Sequence, residues 1–248
     1  MAKAHVAIVT GGAGDIGSAI ARQLSGTCQT VIALDCLEPQ QASKWQQQLE
    51  QGGVTNIIYK QVDVTDYHAC ENLANNLKND HQSIDILVNA AGITRDSTLV
   101  KMEKDNWDAV LEVNLTGVFN LTKHIVPLMI ANNYGRIINI SSVNAQKGQF
   151  GQCNYSAAKA GMYGFTKSLA QEVIRKGITV NSISPGYVNT KMVQKIRADV
   201  LDNIISEIPC GRLAEVDEIA WVVSFLANEN SQYITGANIP VNGGLHYY

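Results

Sequence analysis

Short apolar runs alternate with segments of helical period along the whole chain. The first run, residues 5–10, leads into a glycine-rich turn and then into a helical pattern that starts near Ser18. Later runs of strand length occupy residues 30–34, 56–62, 84–88, 136–140, 178–183 and 237–241. Helical patterns lie between them at 40–51, 67–79, 105–130, 155–175 and 215–227. Runs this apolar are typical of strands covered on both faces, so the pattern predicts a parallel sheet with helices on each side.

The regular alternation predicts a doubly wound α/β fold of the Rossmann type, with about seven strands. No linker, repeat or low-complexity tract interrupts the 248 residues, so a single domain is expected over residues 1–248. Pro127 is expected to bend or end the helix at 105–130. Residues 186–212 contain no strand pattern and are expected to cross the carboxyl edge of the sheet, where ligands bind in this architecture.

Composition narrows the class of partner. Hydrophobic residues make up 46% of the chain and charged residues 17%, as in an ordinary globular domain. The net charge of −3 and the pI near 5.9 give no basic footprint, so nucleic acid is not an expected partner. No apolar stretch approaches the ~18 residues of a membrane span, and no signal peptide precedes the first run. A cytoplasmic location without membrane attachment is expected.

The cysteines and histidines show no pattern typical of a disulfide framework or a metal site. The five cysteines are scattered and form no C-x-x-C pair, which favours reduced thiols over a disulfide framework. The five histidines show no H-x-x-x-H spacing, so no metal site is expected.

The turn after the first strand carries a phosphate-binding pattern. Residues 12–17 read GAGDIG and satisfy G-x-G-x-x-G, directly after a strand and at the start of a helix. Glycines let the backbone approach a pyrophosphate, and the helix N-terminus supplies N–H donors and positive potential. The pattern therefore predicts a dinucleotide site, with a plain strand-to-helix turn as the alternative.

Two aspartates follow the next strands. Asp35 ends the second strand, eighteen residues after Gly17, where a carboxylate can accept hydrogen bonds from both ribose hydroxyls and repel a 2′-phosphate. The nearest basic residue downstream is Lys44, so the residues favour NAD(H). Asp63 ends the third strand and is expected to hold the adenine ring. Either aspartate could instead be a helix N-cap.

Tyr155 and Lys159 are four residues apart, and Ser142 lies thirteen residues before the tyrosine. A free tyrosine titrates near ~10, too high for an efficient acid or base at neutral pH. Positions i and i+4 of a helix share a face, so Lys159 is expected to favour the phenolate and lower the pKa of Tyr155. Ser142 supplies a hydroxyl that can hold a carbonyl. Alone, the spacing could also describe an exposed aromatic with a solvating lysine.

Together these residues resemble the short-chain dehydrogenase/reductase family, over essentially the whole chain. Residues 10–17 resemble its nucleotide motif and residues 89–92 (NAAG) its fourth-strand motif. Asn114 matches its catalytic asparagine, residues 185–186 its turn beside the nicotinamide, and Thr190 a position near the carboxamide. The resemblance implies the catalytic residues Asn114, Ser142, Tyr155 and Lys159. The implied cofactor-binding residues are Gly11, Gly14, Asp15, Ile16, Gly17, Asp35, Asp63, Val64, Asn89, Ala90, Gly92, Tyr155, Lys159, Pro185, Gly186, Val188 and Thr190.

The chain departs from the family pattern at two positions. Asp15 stands where the family has glycine, which places a carboxylate near a phosphate and affects the geometry of the turn. Ala90 stands where the family usually has a second asparagine. Neither departure touches the catalytic residues.

A narrower resemblance, to the acetoacetyl-CoA reductases of polyhydroxybutyrate synthesis, rests on residues 92–96, 141–152 and 242–246. It implies an acyl-CoA substrate. The implied substrate-binding residues are Asp96, Ser142, Gln149, Phe150, Gln152, Tyr155 and Tyr187. From the residues alone, the segment 149–152 could equally be a polar loop with one anchoring aromatic.

The resemblance implies reduction of a short 3-oxoacyl-CoA to the (R)-3-hydroxyacyl-CoA. Ser142 would hold the carbonyl oxygen, Tyr155 would donate the proton, and Lys159 would lower the tyrosine pKa and bind the nicotinamide ribose. Asn114 would hold a water that relays protons to Lys159. The subfamily implies NADP(H) as the alternative to the NAD(H) favoured by Asp35. A homotetramer is implied, paired through helices 105–130 and 155–175.

Two other functions are considered. The first is 3-oxoacyl-acyl-carrier-protein reduction, in which two basic residues near the mouth of the site dock the carrier. Their counterparts here are Asn133 and Lys176, so one of the pair is missing and CoA is favoured. The second is a non-catalytic nucleotide-binding sensor, which is disfavoured because every catalytic residue type is present.

Overall fold

The computed structural model describes residues 5–81, 83–191, 193–195 and 197–247. In this part of the chain, seven parallel strands form one sheet in the order β3-β2-β1-β4-β5-β6-β7. The strands are β1 (Val6–Thr10), β2 (Thr30–Asp35), β3 (Ile57–Gln61), β4 (Ile86–Asn89), β5 (Gly135–Ile140), β6 (Ile178–Pro185) and β7 (Asn238–Val241). The α-helices are α1 (Asp15–Ser25), α2 (Pro39–Gln51), α3 (Tyr67–Asp80), α4 (Lys104–Leu111), α5 (Gly117–Ala131), α6 (Asn144–Lys147), α7 (Cys153–Val173), α8 (Ala198–Glu207) and α9 (Val216–Ala227).

The strand order reverses between β1 and β4. The chain builds outward from β1 to β3, crosses back to place β4 beside β1, and then builds outward to β7. Thr10 and Asn89, the last residues of β1 and β4, are paired in register. Two neighbouring strands thus send their connections to opposite sides and leave a crevice between them, the position at which this architecture binds ligands. The predicted doubly wound fold is confirmed.

Both faces of the sheet are covered, as the unbroken apolar runs predict. Val9 and Val88 face a layer that contains α1 and α9, whereas Ile8 and Leu87 face a layer that contains α3, α5 and α7. All four side chains are fully buried. Because burying one such side chain is worth about 1.5–3 kcal/mol, the central strands form a rigid base beneath the loops at their carboxyl ends.

The predicted helix at 105–130 is three consecutive helical segments. A π-helical turn, Glu112–Thr116, lies between α4 and α5. Pro127 lies inside α5, which continues to Ala131, so the proline does not end the helix. The segment after β6 contains α8 and an isolated bridge between Val188 and Ala214, in agreement with the prediction that it contains no strand.

Among the described helices, none combines the length and the apolarity that crossing a bilayer requires. Within the same residues, no group of three or more His, Cys, Asp or Glu side chains is arranged to hold a metal ion.

Candidate active site

Four polar side chains meet just beyond the carboxyl ends of β4 and β5. Ser142 follows β5, Tyr155 and Lys159 lie in the first two turns of α7, and Asn114 lies in the π turn. These groups are withdrawn from solvent: Asn114 is 0% exposed, Lys159 3% and Ser142 7%. The structure therefore brings together the four residues that the sequence predicts to be catalytic.

Tyr155 is held as a phenol. Burial raises its pKa above the ordinary value, and this effect outweighs a hydrogen bond from Ser142 that favours the phenolate. The Lys159 Nζ lies 5.8 Å from the centroid of the Tyr155 ring, and Lys159 is not among the groups that shift the pKa of Tyr155. The prediction that Lys159 lowers the pKa of Tyr155 is wrong for this structure. A phenol is nevertheless the form that donates a proton.

Lys159 loses its charge readily in this position. Its Nζ donates a hydrogen bond to the backbone oxygen of Ile140 at 2.8 Å. Desolvation lowers the pKa of Lys159 to about 7, because a buried ammonium has lost its water and no carboxylate of the described residues forms an ion pair with it. The high pKa of Tyr155 follows from the burial of its own hydroxyl. With its pKa of about 7, Lys159 exchanges protons easily at neutral pH.

Asn114 and Lys159 both lie against Gly92. A Cβ placed on Gly92 would stand 2.9 Å from the Asn114 Oδ1 and 3.4 Å from the Lys159 Nζ, so only glycine leaves room for both groups. The Asn114 Oδ1 accepts a hydrogen bond from the Ile93 N–H at 2.9 Å, and its Nδ2 donates to the Ile93 oxygen at 2.8 Å. A π turn is common at functional sites, and here it carries the asparagine.

The glycine turn fits a bound pyrophosphate. A Cβ on Gly17 would lie 2.0 Å from the Gly11 oxygen, so the turn can pack against α1 only with glycine there. Gly11 has a φ of +61°, which favours glycine. Gly14 is the N-cap of α1 and offers no side chain to cap the helix, so the first N–H groups remain available to an anion. These residues fit a nicotinamide dinucleotide.

Asp35 is fixed at the end of β2 by two backbone donors. Its Oδ2 accepts a hydrogen bond from Ala13 N at 3.0 Å and its Oδ1 accepts one from Cys36 N at 2.8 Å. Neither Asp35 nor Asp63 is a helix N-cap, because Glu38 precedes α2 and Asp66 precedes α3. Asp35 therefore places a carboxylate directly beside the glycine turn.

Asp63 and Val64 lie at the end of β3. The exposed Asp63 carboxylate accepts hydrogen bonds from the N–H and the hydroxyl of Thr65 at 2.9 and 2.8 Å. Val64 is buried, and its side chain fills the space next to Gly117. The backbone oxygen of Val64 accepts from the Asn120 Nδ2 at 2.9 Å. These contacts fix the loop after β3 in place, and the predicted adenine contact of Asp63 stays a prediction.

Asp15 contacts a distant segment. Its Oδ2 accepts a hydrogen bond from Lys191 N at 2.7 Å, and its Oδ1 lies 3.8 Å from the Lys191 Nζ. Among the described residues only Asn133 combines a side chain with a positive φ, so Asp15 does not distort the turn. Instead it joins the start of α1 to the segment after Thr190. No local pattern could indicate this contact, because the partners are 176 positions apart.

Asn89 serves the sheet with its side chain. The buried Nδ2 donates to Asn139 Oδ1 at 2.8 Å and to Thr122 Oγ1 at 3.2 Å. The Thr10 hydroxyl accepts from the N–H groups of Ala90 and Ala91, both at 3.0 Å, and joins the turn after β4 to the turn after β1. The Asn89 Oδ1 is buried without a hydrogen-bond partner among the described residues, and the predicted cofactor contact of Asn89 stays a prediction.

The residues after β6 lie beside the loop that carries Ser142. Pro185 accepts a hydrogen bond from Val143 N at 2.8 Å, and Gly186 N donates to the Val241 oxygen at 2.9 Å. Val188 is buried, and the Thr190 Oγ1 accepts from Val193 N at 3.4 Å. The predicted nicotinamide side of the site is thus adjacent to the catalytic residues.

The predicted substrate residues surround the loop at 148–152. The Gln152 Nε2 donates to Asp96 Oδ2 at 2.8 Å, and the Tyr187 hydroxyl donates to Gln149 Oε1 at 3.5 Å. Phe150 is 87% exposed, between two glycines with positive φ, Gly148 and Gly151. The loop therefore presents amides and an uncovered aromatic ring at the mouth of the site.

Two supporting residues were not predicted. Tyr163 donates a hydrogen bond to the Ser142 backbone oxygen at 3.1 Å. Tyr163 lies eight residues after Tyr155, so Tyr155, Lys159 and Tyr163 share one face of α7. This spacing could have indicated its role. Asn144 connects Ser142 to Gln152, and nothing in its spacing indicated that role.

Two residues expected near the mouth of the site lie at the opposite edge of the sheet. Asn133 precedes β5 and Lys176 precedes β6, whereas Ser142 follows β5. The six residues of β5 separate these edges by about 20 Å. The prediction that the two positions flank the site is wrong within one chain, because residues before a parallel strand lie at its amino edge. They provide no argument for CoA over a carrier protein.

The chain is similar to known proteins over nearly its whole length. A family model described as enoyl-(acyl carrier protein) reductase matches residues 11–246. Acetoacetyl-CoA reductases of Allochromatium vinosum and Cupriavidus necator are 50% and 46% identical over 244 and 242 residues, covering 98% of this chain and 98% of each relative. The 3-oxoacyl-acyl-carrier-protein reductase of Haemophilus influenzae is 43% identical over 243 residues, 97% of this chain and 98% of the relative.

Proposed function

The chain belongs to the short-chain dehydrogenase/reductase family, whose members are oxidoreductases acting on CH–OH groups, and we propose that it reduces acetoacetyl-CoA to (R)-3-hydroxybutyryl-CoA. The observation that carries the proposal is the Ser142–Tyr155 hydrogen bond at the carboxyl edge of β5, beside the buried Lys159. The likeness to acetoacetyl-CoA reductases, at up to 50% identity over the chain, supports the choice of substrate.

The catalytic residues act on the ketone oxygen. A bound nicotinamide dinucleotide supplies the hydride that reaches C3 of the substrate. Ser142 donates a hydrogen bond to the ketone oxygen and stabilises the negative charge that develops there. Tyr155, held in its protonated form, gives its proton to that oxygen. One hydride and one proton complete the alcohol.

Lys159 and Asn114 restore the proton of Tyr155 in this proposal. The Lys159 pKa near 7 lets the amine take up and release a proton at neutral pH. Asn114 lies next to the amine at Gly92 and is proposed to hold a water that continues the path. Lys159 is also proposed to bind the nicotinamide ribose.

The proposed cofactor is NAD(H). Asp35 is fixed by the N–H groups of Ala13 and Cys36, so its carboxylate cannot swing away from the glycine turn without losing two hydrogen bonds. Residues 35–43 contain two acidic side chains and no basic one. A 2′-phosphate placed here would meet like charge without a cation to offset it. NADP(H) remains the alternative that the narrower family resemblance implies.

The loop at 148–152 supports an acyl-CoA as substrate. Its amides, Gln149 and Gln152, can donate hydrogen bonds to a thioester, and the exposed Phe150 ring offers an apolar surface to the acyl or pantetheine chain. Comparing acetoacetyl-CoA with acetoacetyl carrier protein tests this choice. We expect the higher kcat/KM with the CoA ester; a higher value with the carrier protein would favour fatty acid synthesis instead.

Assembly as a homotetramer through the long helices is part of the proposal. Phe119 on α5 is 45% exposed, and Gly164 on α7 has open space where a side chain would stand. Such helix faces allow close packing between copies. Light scattering after size exclusion is expected to give four chains of 26.9 kDa, and a monomer would contradict this part of the proposal.

A further inference from the structure

A row of hydrogen bonds leads from an exposed carboxylate to the catalytic serine. The Gln152 Nε2 donates to Asp96 Oδ2 at 2.8 Å. The Gln152 Oε1 accepts from Asn144 Nδ2 at 2.9 Å. The backbone N–H of Asn144 then donates to the Ser142 Oγ at 3.1 Å. The side-chain amides of Gln152 and Asn144, and then the backbone N–H of Asn144, thus connect Asp96, at the mouth of the site, to the hydroxyl that faces Tyr155.

The direction of these bonds is determined at one end. An ionised carboxylate only accepts hydrogen bonds, so Gln152 must turn its NH2 group toward Asp96 and its oxygen toward Asn144. Asn144 must then turn its own NH2 group toward Gln152. The charge of Asp96 therefore sets the orientation of both amides.

Asn144 occupies this orientation at a cost. The residue is 8% exposed, and its Oδ1 is buried without a hydrogen-bond partner among the described residues. An unsatisfied buried acceptor is unfavourable, so a freely rotating amide would not prefer this arrangement. The bond to Gln152 holds it there.

The orientation decides what the site offers to a substrate. The backbone N–H of Asn144 occupies one acceptor position of the Ser142 Oγ, and the single hydroxyl hydrogen of Ser142, which is given to Tyr155 in this structure, turns to the ketone oxygen when a substrate binds. The Gln152 NH2 group has two hydrogens and gives one of them to Asp96. The second remains available. Both groups therefore present donors, which suit the ketone and thioester oxygens of a 3-oxoacyl chain.

We propose that Asn144 is a positioning residue for the reaction: its side chain orients Gln152 and its backbone N–H holds the Ser142 Oγ, so that both present hydrogen-bond donors to the acyl oxygens. The inference rests on the proposed function, since it takes a 3-oxoacyl chain as the substrate. In this proposal Asn144 acts on the substrate through its two neighbours, Ser142 and Gln152.

Three variants test the direction of the row. Asn144→Asp keeps the size of the side chain but replaces the donor by an acceptor, so Gln152 must turn its oxygen toward the Asp96 carboxylate. Asp96→Asn is the matched control, because the new amide still offers an oxygen to Gln152. The double variant N144D/D96N reverses the row and satisfies every bond, with the Gln152 NH2 group now facing position 144.

The expected results separate positioning from simple stability. N144D is expected to raise the KM for acetoacetyl-CoA about tenfold or more over D96N and to lower Tm, with the KM for the dinucleotide unchanged. The double variant is expected to recover the Tm of D96N but not its KM, because the free Gln152 hydrogen points the wrong way. A KM for N144D within twofold of wild type, or a KM that recovers together with Tm in the double variant, would overturn the proposal.

Two further measurements keep the test decisive. If N144D does not fold, Asn144→Ala decides, because it removes the link to Gln152 but keeps the backbone N–H to Ser142; an unchanged acyl KM in N144A would overturn the inference. Wild-type turnover tests the proposed function separately. A wild type that reduces another 3-oxo ester but not acetoacetyl-CoA would refute the proposed substrate alone, and the same variants would then be measured on that ester.

Discussion

At the nucleotide end of the cleft, Asp15 and Asp35 stay partly exposed, and backbone N–H groups hold their carboxylates in place. At the catalytic end, Tyr155 is held as a phenol and the pKa of the buried Lys159 falls to about 7. The two ends differ because their tasks differ. A fixed charge selects among anions, whereas proton transfer at neutral pH needs groups that gain and lose a proton easily.

The largest expected effect tests the catalytic end. Tyr155→Phe removes the proton donor and leaves the ring, so kcat is expected to fall by about 10²- to 10⁴-fold while dinucleotide affinity changes little. Stopped-flow or steady-state absorbance gives kcat, and fluorescence quenching gives the dinucleotide Kd. Tyr233→Phe, which removes the hydroxyl of a fully exposed tyrosine, is the control. Near-wild-type turnover of Tyr155→Phe would show that Tyr155 is not the proton donor.

The lowered pKa of Lys159 predicts a dependence of stability on pH. The unfolded chain keeps the lysine protonated up to about pH 10.5, but the folded chain releases the proton above about 7. Folding at pH 7 therefore expels a proton, and this cost, on the order of a few kcal/mol, fades as the pH rises from 7 to 10.5.

The variant Lys159→Met lacks that cost. Its Tm is expected to exceed the wild-type Tm most at pH 7 and least at pH 10. Lys167→Met, on the exposed face of the same helix, serves as the control and should show no such trend. Thermal melts across this range decide the matter, and a Lys159→Met advantage that stays constant with pH would show that the lysine is charged in the fold.

Removing the charge of Asp35 tests its role in the choice between NADH and NADPH. Asp35→Asn keeps the shape of the side chain but not the repulsion of a 2′-phosphate, so the ratio of kcat/KM with NADPH to that with NADH is expected to rise about 10- to 100-fold. Glu38→Gln removes one negative charge three residues away and is the control. If both variants shift the ratio equally, Asp35 acts only through net charge and not through its fixed position.

The smallest expected effect concerns the contact between Asp15 and Lys191. Asp15→Ala removes the acceptor for Lys191 N–H and is expected to weaken dinucleotide binding a few-fold, whereas Asp15→Asn retains an acceptor. Lys191→Ala loses only an exposed ion pair at 3.8 Å and should stay within about twofold of wild type. Calorimetric titration gives each Kd. Tighter binding by Asp15→Ala would mean that the carboxylate mainly repels the pyrophosphate.

Much of the fold and of the catalytic set could be predicted from local pattern. Apolar runs revealed strands covered on both faces, and the glycines next to β1 marked a turn that admits no side chain. What escaped prediction depends on contacts between distant residues. The Asp15–Lys191 contact joins two loops, Asn144 acts through neighbours on either side, and the pKa of Lys159 follows from burial that no spacing reports.

The positions of Asn133 and Lys176 could not be predicted from local pattern either. As counterparts of the two carrier-docking residues they were expected near the site, but the strand direction puts them at the amino edge of the sheet. Only the assembled sheet distinguishes one edge from the other.

The reaction that we propose for this chain is the reduction of acetoacetyl-CoA by NADH. The direct measurement is steady-state reduction of acetoacetyl-CoA by the wild-type protein at pH 7, with NADH and with NADPH in parallel. We expect oxidation of the dinucleotide at a higher kcat/KM with NADH, together with formation of the (R)-3-hydroxy ester. No turnover with either dinucleotide would contradict the proposed function, and a higher kcat/KM with NADPH would contradict the role given to Asp35.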